Sequence, residues 1–174
     1  MDTGDRVPQT LACEAPLRLH RARVRPEWLD YNGHMNEAYY VLIYSHATDV
    51  LFDLVGLDAE TRERTQRSIF SAEAHISYLS EVREGEEIEV LCQLLDHDQK
   101  RLHFFNRLRR VSDGVEVATA EVLMLHVDTA ARRVVPFAPE VMQRVSAIRA
   151  AHARLPIPPQ AGRSIRGPAA RRLA

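Results

Sequence analysis

The chain has 174 residues, of which 45% are hydrophobic and 27% are charged, a balance typical of one globular domain. Its formal net charge of −1 argues against nucleic-acid binding, because affinity for phosphate backbones comes from an excess of Lys and Arg. No apolar run approaches the roughly 20 residues of a membrane helix, no secretory signal opens the chain, and Cys13 and Cys92 predict no disulfide, so we expect a cytoplasmic protein with no membrane partner.

The first part of the chain predicts an arm, a strand, a loop and one long helix. Residues 1–16 are polar and lack periodicity, which favours a flexible arm. Residues 17–25 alternate between apolar and polar, as a strand does. Turn-forming residues fill a loop over 26–35. A helix with a broad apolar face then begins at the N-cap Asn36 and extends to residue 55.

Four strand patterns and a second helix follow. The predicted strands cover residues 70–80, 86–95, 101–111 and 115–127, and the helix covers 139–152. In the first of these strands, Phe70, Ala72, Ala74, Ile76 and Tyr78 are predicted to share one face. The last strand is apolar on both faces, which predicts an internal position in the sheet.

The order of these elements predicts the fold class. Successive strands joined by short turns pair antiparallel, and one long helix packed on one curved antiparallel sheet is a two-layer α+β arrangement. We therefore predict an α+β domain over residues 17–153. The Pro- and Arg-rich tail, residues 154–174, contains no acidic residue and is predicted to be disordered, with docking on a neighbouring chain as the alternative.

The chemical signal lies between Val24 and Tyr39. Asp30 comes a few residues before a predicted helix N-terminus, where backbone N–H groups without helical partners point outward and the helix dipole adds positive charge. A thioester carbonyl oxygen gains negative charge when its carbon is attacked, and donors aimed at that oxygen stabilise it. Gly33 lets the backbone approach a substrate closely. This arrangement favours acyl-transfer chemistry.

The motif Asp-Tyr-Asn-Gly-His-Met-Asn at residues 30–36, followed by a helix with Tyr39 and Tyr40, resembles the signature of hot-dog-fold acyl-CoA thioesterases, the 4-hydroxybenzoyl-CoA thioesterase-like superfamily. Residues 78–90 resemble a second pattern of the same superfamily, and the likeness covers residues 18–130. It implies a curved antiparallel sheet wrapped around one central helix, with an additional C-terminal helix here. It also implies hydrolysis of an acyl-CoA with no cofactor, since CoA is part of the substrate.

Three further segments, residues 45–49, 72–79 and 94–103, resemble the betainyl-CoA thioesterases of bacterial carnitine breakdown, which release glycine betaine and CoA. The resemblance implies a homodimer or homotetramer with the active site between subunits. Three alternatives remain open: a thioesterase for another small or aromatic acyl-CoA, a hot-dog enoyl-CoA hydratase, and a non-catalytic acyl-CoA-binding module.

The resemblance implies that Asp30 is catalytic, either as a nucleophile that forms a mixed anhydride or as a base that activates water. The alternative is a turn aspartate that accepts hydrogen bonds from nearby backbone amides. The predicted oxyanion loop consists of Asn32, Gly33, His34, Met35 and Asn36. Within it, the amides of Gly33, His34 and Met35 are the candidate donors. His34 and His46 lack the spacing of metal ligands, so no metal is predicted.

The resemblance also suggests residues for substrate binding. A quaternary ammonium is held best by aromatic faces and a nearby carboxylate. The candidates for the acyl pocket are Trp28, Tyr31, Tyr39, Tyr44, Glu73 and His75. For each of them the alternative is core packing or a solvated sheet face. Arg101, Arg107 and Arg109 crowd one hairpin and are candidates for the CoA phosphates, with a solvated basic edge as the alternative.

Overall fold

The computed structural model describes residues 14–165, so the predictions made for residues 1–13, including Cys13, and for 166–174 lie outside the described residues. A short 3-10 turn, Pro26–Trp28, precedes the first helix. The other elements are β1 (Leu17–Arg23), α1 (Glu37–Val55), α2 (Ala59–Thr65), β2 (Arg67–Tyr78), β3 (Glu87–His97), β4 (Arg101–Arg110), β5 (Glu116–Asp128), β6 (Arg133–Val134) and α3 (Pro139–His152).

One antiparallel sheet runs in the order β1-β3-β4-β5-β2, and β6 pairs with the end of β5 that extends beyond β4. The sheet curves as a half-barrel around α1, which confirms the predicted α+β hot-dog fold. β5 lies between β4 and β2, as its two apolar faces predict, and β1 and β2 form the edges. One continuous core joins α1, β4 and α3 through Ile43, Ala47, Leu51, Leu102, Phe104, Leu108, Val145 and Ile148.

Helix α1 begins and ends where its local sequence predicts. The Asn36 side chain accepts a hydrogen bond from the Ala38 amide at 2.9 Å, which satisfies one of the unpaired donors at the helix start. Gly56 adopts a left-handed conformation, φ 87°, at the C-terminal end. Asn36 thus fixes the start of α1 directly after the loop, and Gly56 ends the helix.

Strand β2 departs from the predicted alternation. A register shift follows Ser71, so Phe70 pairs with Leu125 whereas Ala74 pairs with Val122. Leu125 and Val122 are three residues apart on one strand, and their side chains therefore point to opposite faces. The prediction that Phe70 and Ala74 share a face is wrong, because a bulge inserts one residue into the strand.

The first part of the tail, residues 154–165, lies on the sheet face that points away from α1. The Gln93 side chain donates to the Pro156 carbonyl at 3.2 Å, and the Gly162 amide donates to Glu121 Oε2 at 2.7 Å. Phe105 on this face of β4 is buried. The prediction of disorder is therefore wrong for these residues, because the groups that hold them lie on distant strands.

Helix α2 and strand β6 are short elements that the sequence analysis did not predict. Asp58 caps α2 by accepting a hydrogen bond from the Thr61 amide at 2.8 Å. Within the described residues, no single helix is long and apolar enough to cross a membrane, and α1 with α2 meets that test only as a pair bent by 70°.

Candidate active site

Asp30 lies in a tight turn between the 3-10 turn and α1. Its Oδ1 accepts a hydrogen bond from the Asn32 amide at 2.7 Å, and Oδ2 has only a long contact, 3.4 Å, with the Asn32 side chain. The Asp30 amide donates to the His34 carbonyl at 2.9 Å, and Leu29 and Met35 form an isolated β-bridge. The turn thus fixes one carboxylate oxygen and leaves the other available for chemistry.

Two of the three predicted oxyanion donors are used inside the chain. The Gly33 amide donates to the Asp30 carbonyl at 3.0 Å, and the Met35 amide donates to the Val82 carbonyl at 2.8 Å. Neither amide is therefore free to act as an oxyanion donor, contrary to the prediction. The His34 amide donates to no acceptor among residues 14–165, and neither does the amide of Glu37, the first residue of α1, which the sequence analysis did not single out. These two amides are candidate donors to the substrate oxygen.

The second motif contributes a loop that packs on the Asp30 turn. Val82 is fully buried and accepts the Met35 amide. His34 Nε2 lies 3.2 Å from Glu81 Oε2, and Arg83 binds the same carboxylate at 2.8 Å. Arg83 in the first place, and His34 after it, hold the pKa of Glu81 below its usual value. His34 therefore ties the two motifs together.

The aromatic residues predicted to form a cation cage are not gathered in one place. Trp28 and Tyr39 stack on each other with their ring centroids 5.3 Å apart, and the Tyr39 hydroxyl donates to the Glu27 carbonyl at 3.0 Å. Tyr31 is 98% exposed. Of the four predicted residues, Tyr44 alone lines the groove between α1 and β2. The other three do not line this groove within one chain, and their role in substrate binding stays a prediction.

The groove between α1 and β2 has a volume of about 560 Å³. Helix α1 contributes Tyr44, Thr48 and Phe52 to its wall, and β2 contributes Ile69, Ala74 and Ile76. Tyr40 and Tyr78 lie in T-shaped contact, 5.2 Å between centroids. Burial raises the pKa of Tyr40 to about 12, with Tyr78, Glu86 and Asp30 adding to the rise against the charge of Arg110. The Tyr40 hydroxyl donates to the Ser80 carbonyl at 3.4 Å, and Val82, two residues later, accepts the Met35 amide, so the aromatic pair lies near the Asp30 turn.

Glu73 and His75 lie elsewhere. They pair with Leu123 and Glu121 and face away from α1, where they line a second cavity of about 720 Å³ between the sheet and residues 162–164. Within this chain they are not part of a pocket with the Asp30 turn. The sheet separates these two residues from the Asp30 turn within one chain, and their role in substrate binding stays a prediction.

The three arginines predicted for CoA also project from the sheet face opposite α1. Arg109 Nε donates to Glu89 at 2.9 Å, and Arg101 binds Asp98 at 2.6 Å. Arg107 is half-buried. Carboxylates thus hold two of these side chains, at opposite ends of β4, and the three are not gathered at one phosphate site.

Among residues 14–165, no group of three or more His, Cys, Asp or Glu side chains is arranged to hold a metal ion. Cys92 is a free, fully buried thiol on β3. Burial raises its pKa to about 12, so it stays protonated and unreactive.

The fold and the site are those of a thioesterase. The profile of the Thioesterase-like superfamily matches residues 24–145, and the chain belongs to this family of acyl-CoA thioesterases. It is 44% identical over 149 residues to the betainyl-CoA thioesterase of Pseudomonas aeruginosa, which covers 86% of this chain and 94% of that protein. It is 38% identical over 164 residues to the L-carnitine dehydrogenase/betainyl-CoA thioesterase of Rhizobium meliloti, covering 94% of this chain and 33% of that protein.

Two solved structures show the same fold. A Staphylococcus aureus protein in complex with CoA superposes with a TM-score of 0.83 at 29% identity, covering 89% of this chain and 98% of that one. A candidate thioesterase from Pseudomonas putida KT2440 superposes with a TM-score of 0.78 at 37% identity, covering 89% of this chain and 99% of that one. Both fit a thioesterase architecture.

Gly33→Ala tests the strain that the turn imposes. Gly33 has φ 76°, and an added Cβ would meet no atom within 4 Å, so the cost comes from the backbone alone. We expect the free energy of unfolding to fall by about 1 kcal/mol, and kcat to fall because the turn that carries Asp30 shifts. Gly162→Ala is the matched control, since Gly162 has φ 73° and equal space but lies in the tail. Equal turnover in both variants would contradict this role of Gly33. The measurements are urea unfolding and thiol release.

Proposed function

We propose that this protein hydrolyses betainyl-CoA to glycine betaine and CoA, in the cytoplasm. The observation that carries the proposal is the 44% identity, over nearly the whole length of both chains, to a protein named betainyl-CoA thioesterase. A role in carnitine breakdown is supported by the relatives named L-carnitine dehydrogenase/betainyl-CoA thioesterase, of which this chain spans about a third.

The proposed chemistry uses the Asp30 turn. The free oxygen of Asp30 either attacks the thioester carbon, giving a mixed anhydride that water then hydrolyses, or takes a proton from the water that attacks that carbon. The amides of His34 and Glu37 donate to the carbonyl oxygen as it gains charge. In both routes the C–S bond breaks, the CoA thiolate leaves and takes up a proton, and one water molecule is consumed to give the free carboxylate product.

A substrate panel tests this function. Purified full-length protein is offered betainyl-CoA, acetyl-CoA, a medium-chain acyl-CoA, 4-hydroxybenzoyl-CoA and crotonyl-CoA, and free thiol is measured. We expect the highest kcat/KM with betainyl-CoA. Thiol release from another acyl-CoA but not from betainyl-CoA would overturn the substrate, and no release from any would overturn the enzyme function. Hydration of crotonyl-CoA would favour a hydratase.

We also propose that the protein works as a homodimer or larger assembly. Strand β2 is a sheet edge, and an edge strand offers unpaired backbone groups to another chain. Phe70 and Tyr78 on this strand are 54% and 50% exposed, and the groove beside α1 opens along the same edge. A second copy docked on β2 would cover both the apolar side chains and the groove.

Phe70→Glu should weaken the assembly because it places a charge in the proposed apolar interface. Val134→Glu is the control, since Val134 is also an exposed apolar residue but lies on β6. Light scattering is expected to show a dimer for the wild type and for Val134→Glu, and a shift toward monomer for Phe70→Glu. A monomeric wild type at micromolar concentration would rule out the dimer.

A further inference from the structure

The Asp30 turn is closed by its own hydrogen bonds. The Asp30 amide donates to the His34 carbonyl at 2.9 Å, and the Gly33 amide donates to the Asp30 carbonyl at 3.0 Å. Gly33 has the left-handed conformation, φ 76°, that a three-residue hairpin tip requires. Leu29 and Met35 form the base of the turn as an isolated β-bridge. The turn therefore keeps its internal shape, and contacts with other segments decide its orientation in the domain.

Few polar contacts join this turn to the rest of the domain. At its base, the Met35 amide donates to the carbonyl of the buried Val82 at 2.8 Å. Above that base, His34 Nε2 lies 3.2 Å from Glu81 Oε2. Within the part of the chain that the structure describes, this contact is the only ion pair or hydrogen bond between residues 30–34 and another segment. The contact is thus the polar tether that opposes rotation of the turn about its base.

The segment between β2 and β3, which carries Glu81, is anchored on both sides of that residue. The Ser80 amide donates to the Val117 carbonyl on β5 at 3.1 Å. The Gly85 amide donates to the Val24 carbonyl at 2.9 Å. Backbone hydrogen bonds to two other parts of the sheet therefore hold the segment in place, and it can serve as a fixed support for the turn.

Each carboxylate oxygen of Glu81 has its own partner. Arg83 Nη2 donates to Oε1 at 2.8 Å, and Oε2 faces His34. The side chains of His34 and Glu81 are 31% and 48% exposed, and an ion pair as exposed as this one adds little to global stability. Its effect is therefore expected on the position of the turn and not on the stability of the fold.

We propose that Glu81 is a positioning residue, which holds the Asp30 turn through His34 and so keeps the free carboxylate oxygen of Asp30 at the distance from the thioester carbon that the reaction needs. This inference rests on the proposed function and adds a residue to its machinery. Glu81 itself touches no reacting atom. A displacement of about 1 Å in a reacting group can lower turnover about 100-fold. A loosened turn should therefore lower kcat, whereas KM should change little because the substrate contacts in the groove remain.

Glu81→Ala removes the contact with His34 and leaves the backbone of the support in place. We expect kcat for betainyl-CoA to fall at least about tenfold, with KM within about twofold of the wild type. The urea midpoint of unfolding should stay unchanged. Glu84→Ala is the matched control, because Glu84 is an exposed carboxylate on the same segment, and it should keep the wild-type kcat. Equal kcat in Glu81→Ala and Glu84→Ala would overturn the inference.

Variants of His34 test whether Glu81 acts through this residue. His34→Gln keeps an N–H donor at the end of the side chain and should retain most of the wild-type kcat, whereas His34→Ala should be as slow as Glu81→Ala. The double variant should be no slower than the single variants, because the two residues form one contact. Fully additive losses, or a His34→Gln variant as slow as His34→Ala, would contradict a positioning role.

NMR relaxation separates this inference from the proposed function. If another acyl-CoA of the panel is hydrolysed and betainyl-CoA is not, the proposed substrate fails and the same kinetic test is made with that acyl-CoA. If none is hydrolysed, the proposed function fails, and the order parameters of the backbone amides of residues 31–34 decide the inference. They should fall in Glu81→Ala and remain at the wild-type values in Glu84→Ala. Order parameters that are the same in both variants would show that Glu81 does not hold the turn.

Discussion

Asp30→Asn is expected to lower kcat for acyl-CoA hydrolysis by about 100-fold or more while leaving the fold intact. The asparagine Oδ1 can still accept the Asn32 amide, which the Asp30 Oδ1 accepts at 2.7 Å, so the turn keeps its geometry. An amide can neither attack the thioester carbon nor take a proton from water. The loss should therefore fall on kcat, with the KM changed little, because substrate contacts are retained. Thiol release under saturating substrate measures this.

Asp58→Asn separates the loss of a carboxylate from the loss of a catalytic group. Asp58 also accepts one backbone amide, from Thr61 at 2.8 Å, and caps α2 away from the Asp30 turn. It should retain wild-type turnover. Asp30→Ala removes the turn contact as well and should be at least as slow as Asp30→Asn. Turnover of Asp30→Asn within a few-fold of wild type would show that another group performs the chemistry.

The elements that the sequence predicts well are those whose signals are local. Asn36 and Gly56 mark the two ends of α1 by their own hydrogen bonding and backbone conformation, and both lie where expected. Strand alternation likewise predicts β3 and β4 to within about two residues. No local pattern predicts the bulge after Ser71 or the docking of residues 154–165, because both depend on partner strands far away in sequence.

In the candidate site, too, local sequence signals predict some features, and contacts between distant residues decide the others. The motif places Asp30 before the helix, and the structure keeps it there. Which amides remain free depends on Val82, 47 positions after Met35, because the Val82 carbonyl occupies the Met35 amide. Trp28, which stacks on Tyr39, lies in the 3-10 turn, where the sequence predicts only a loop. Residue type indicates what a side chain can bind, but only its contacts decide whether it is available.

His152 completes the sheet where β1 stops. The last pair of β1 with β3 joins Leu17 to Cys92, so the Leu94 amide farther along β3 has no strand partner. His152 Nδ1 accepts that amide at 2.9 Å, and Nε2 donates to the Glu14 carbonyl at 3.0 Å. A ring that accepts at one nitrogen and donates at the other is neutral. Burial lowers the pKa of His152, with Arg149 adding to the effect against the Glu14 carbonyl.

His152→Ala is expected to lower the free energy of unfolding by about 3 kcal/mol, because it leaves a cavity and leaves the buried Leu94 amide without its acceptor. The wild type should also lose stability as the pH falls below about 6.5, since the unfolded histidine then binds a proton that the folded one resists. One such histidine contributes a slope of at most about 1.4 kcal/mol per pH unit. His126, buried with a lowered pKa as well, adds to that slope.

Urea unfolding at pH 8 and pH 5 measures both effects of His152. The stability difference between the two pH values should shrink in His152→Ala, because the variant no longer carries the group that resists protonation in the folded state. Gln143→Ala, an exposed position on the same helix, should change neither the stability nor its pH dependence by much. If His152→Ala kept the full acid sensitivity of the wild type, the sensitivity would reside in His126 and His20, whose pKa values burial also lowers, and not in the contact that closes the edge of β3.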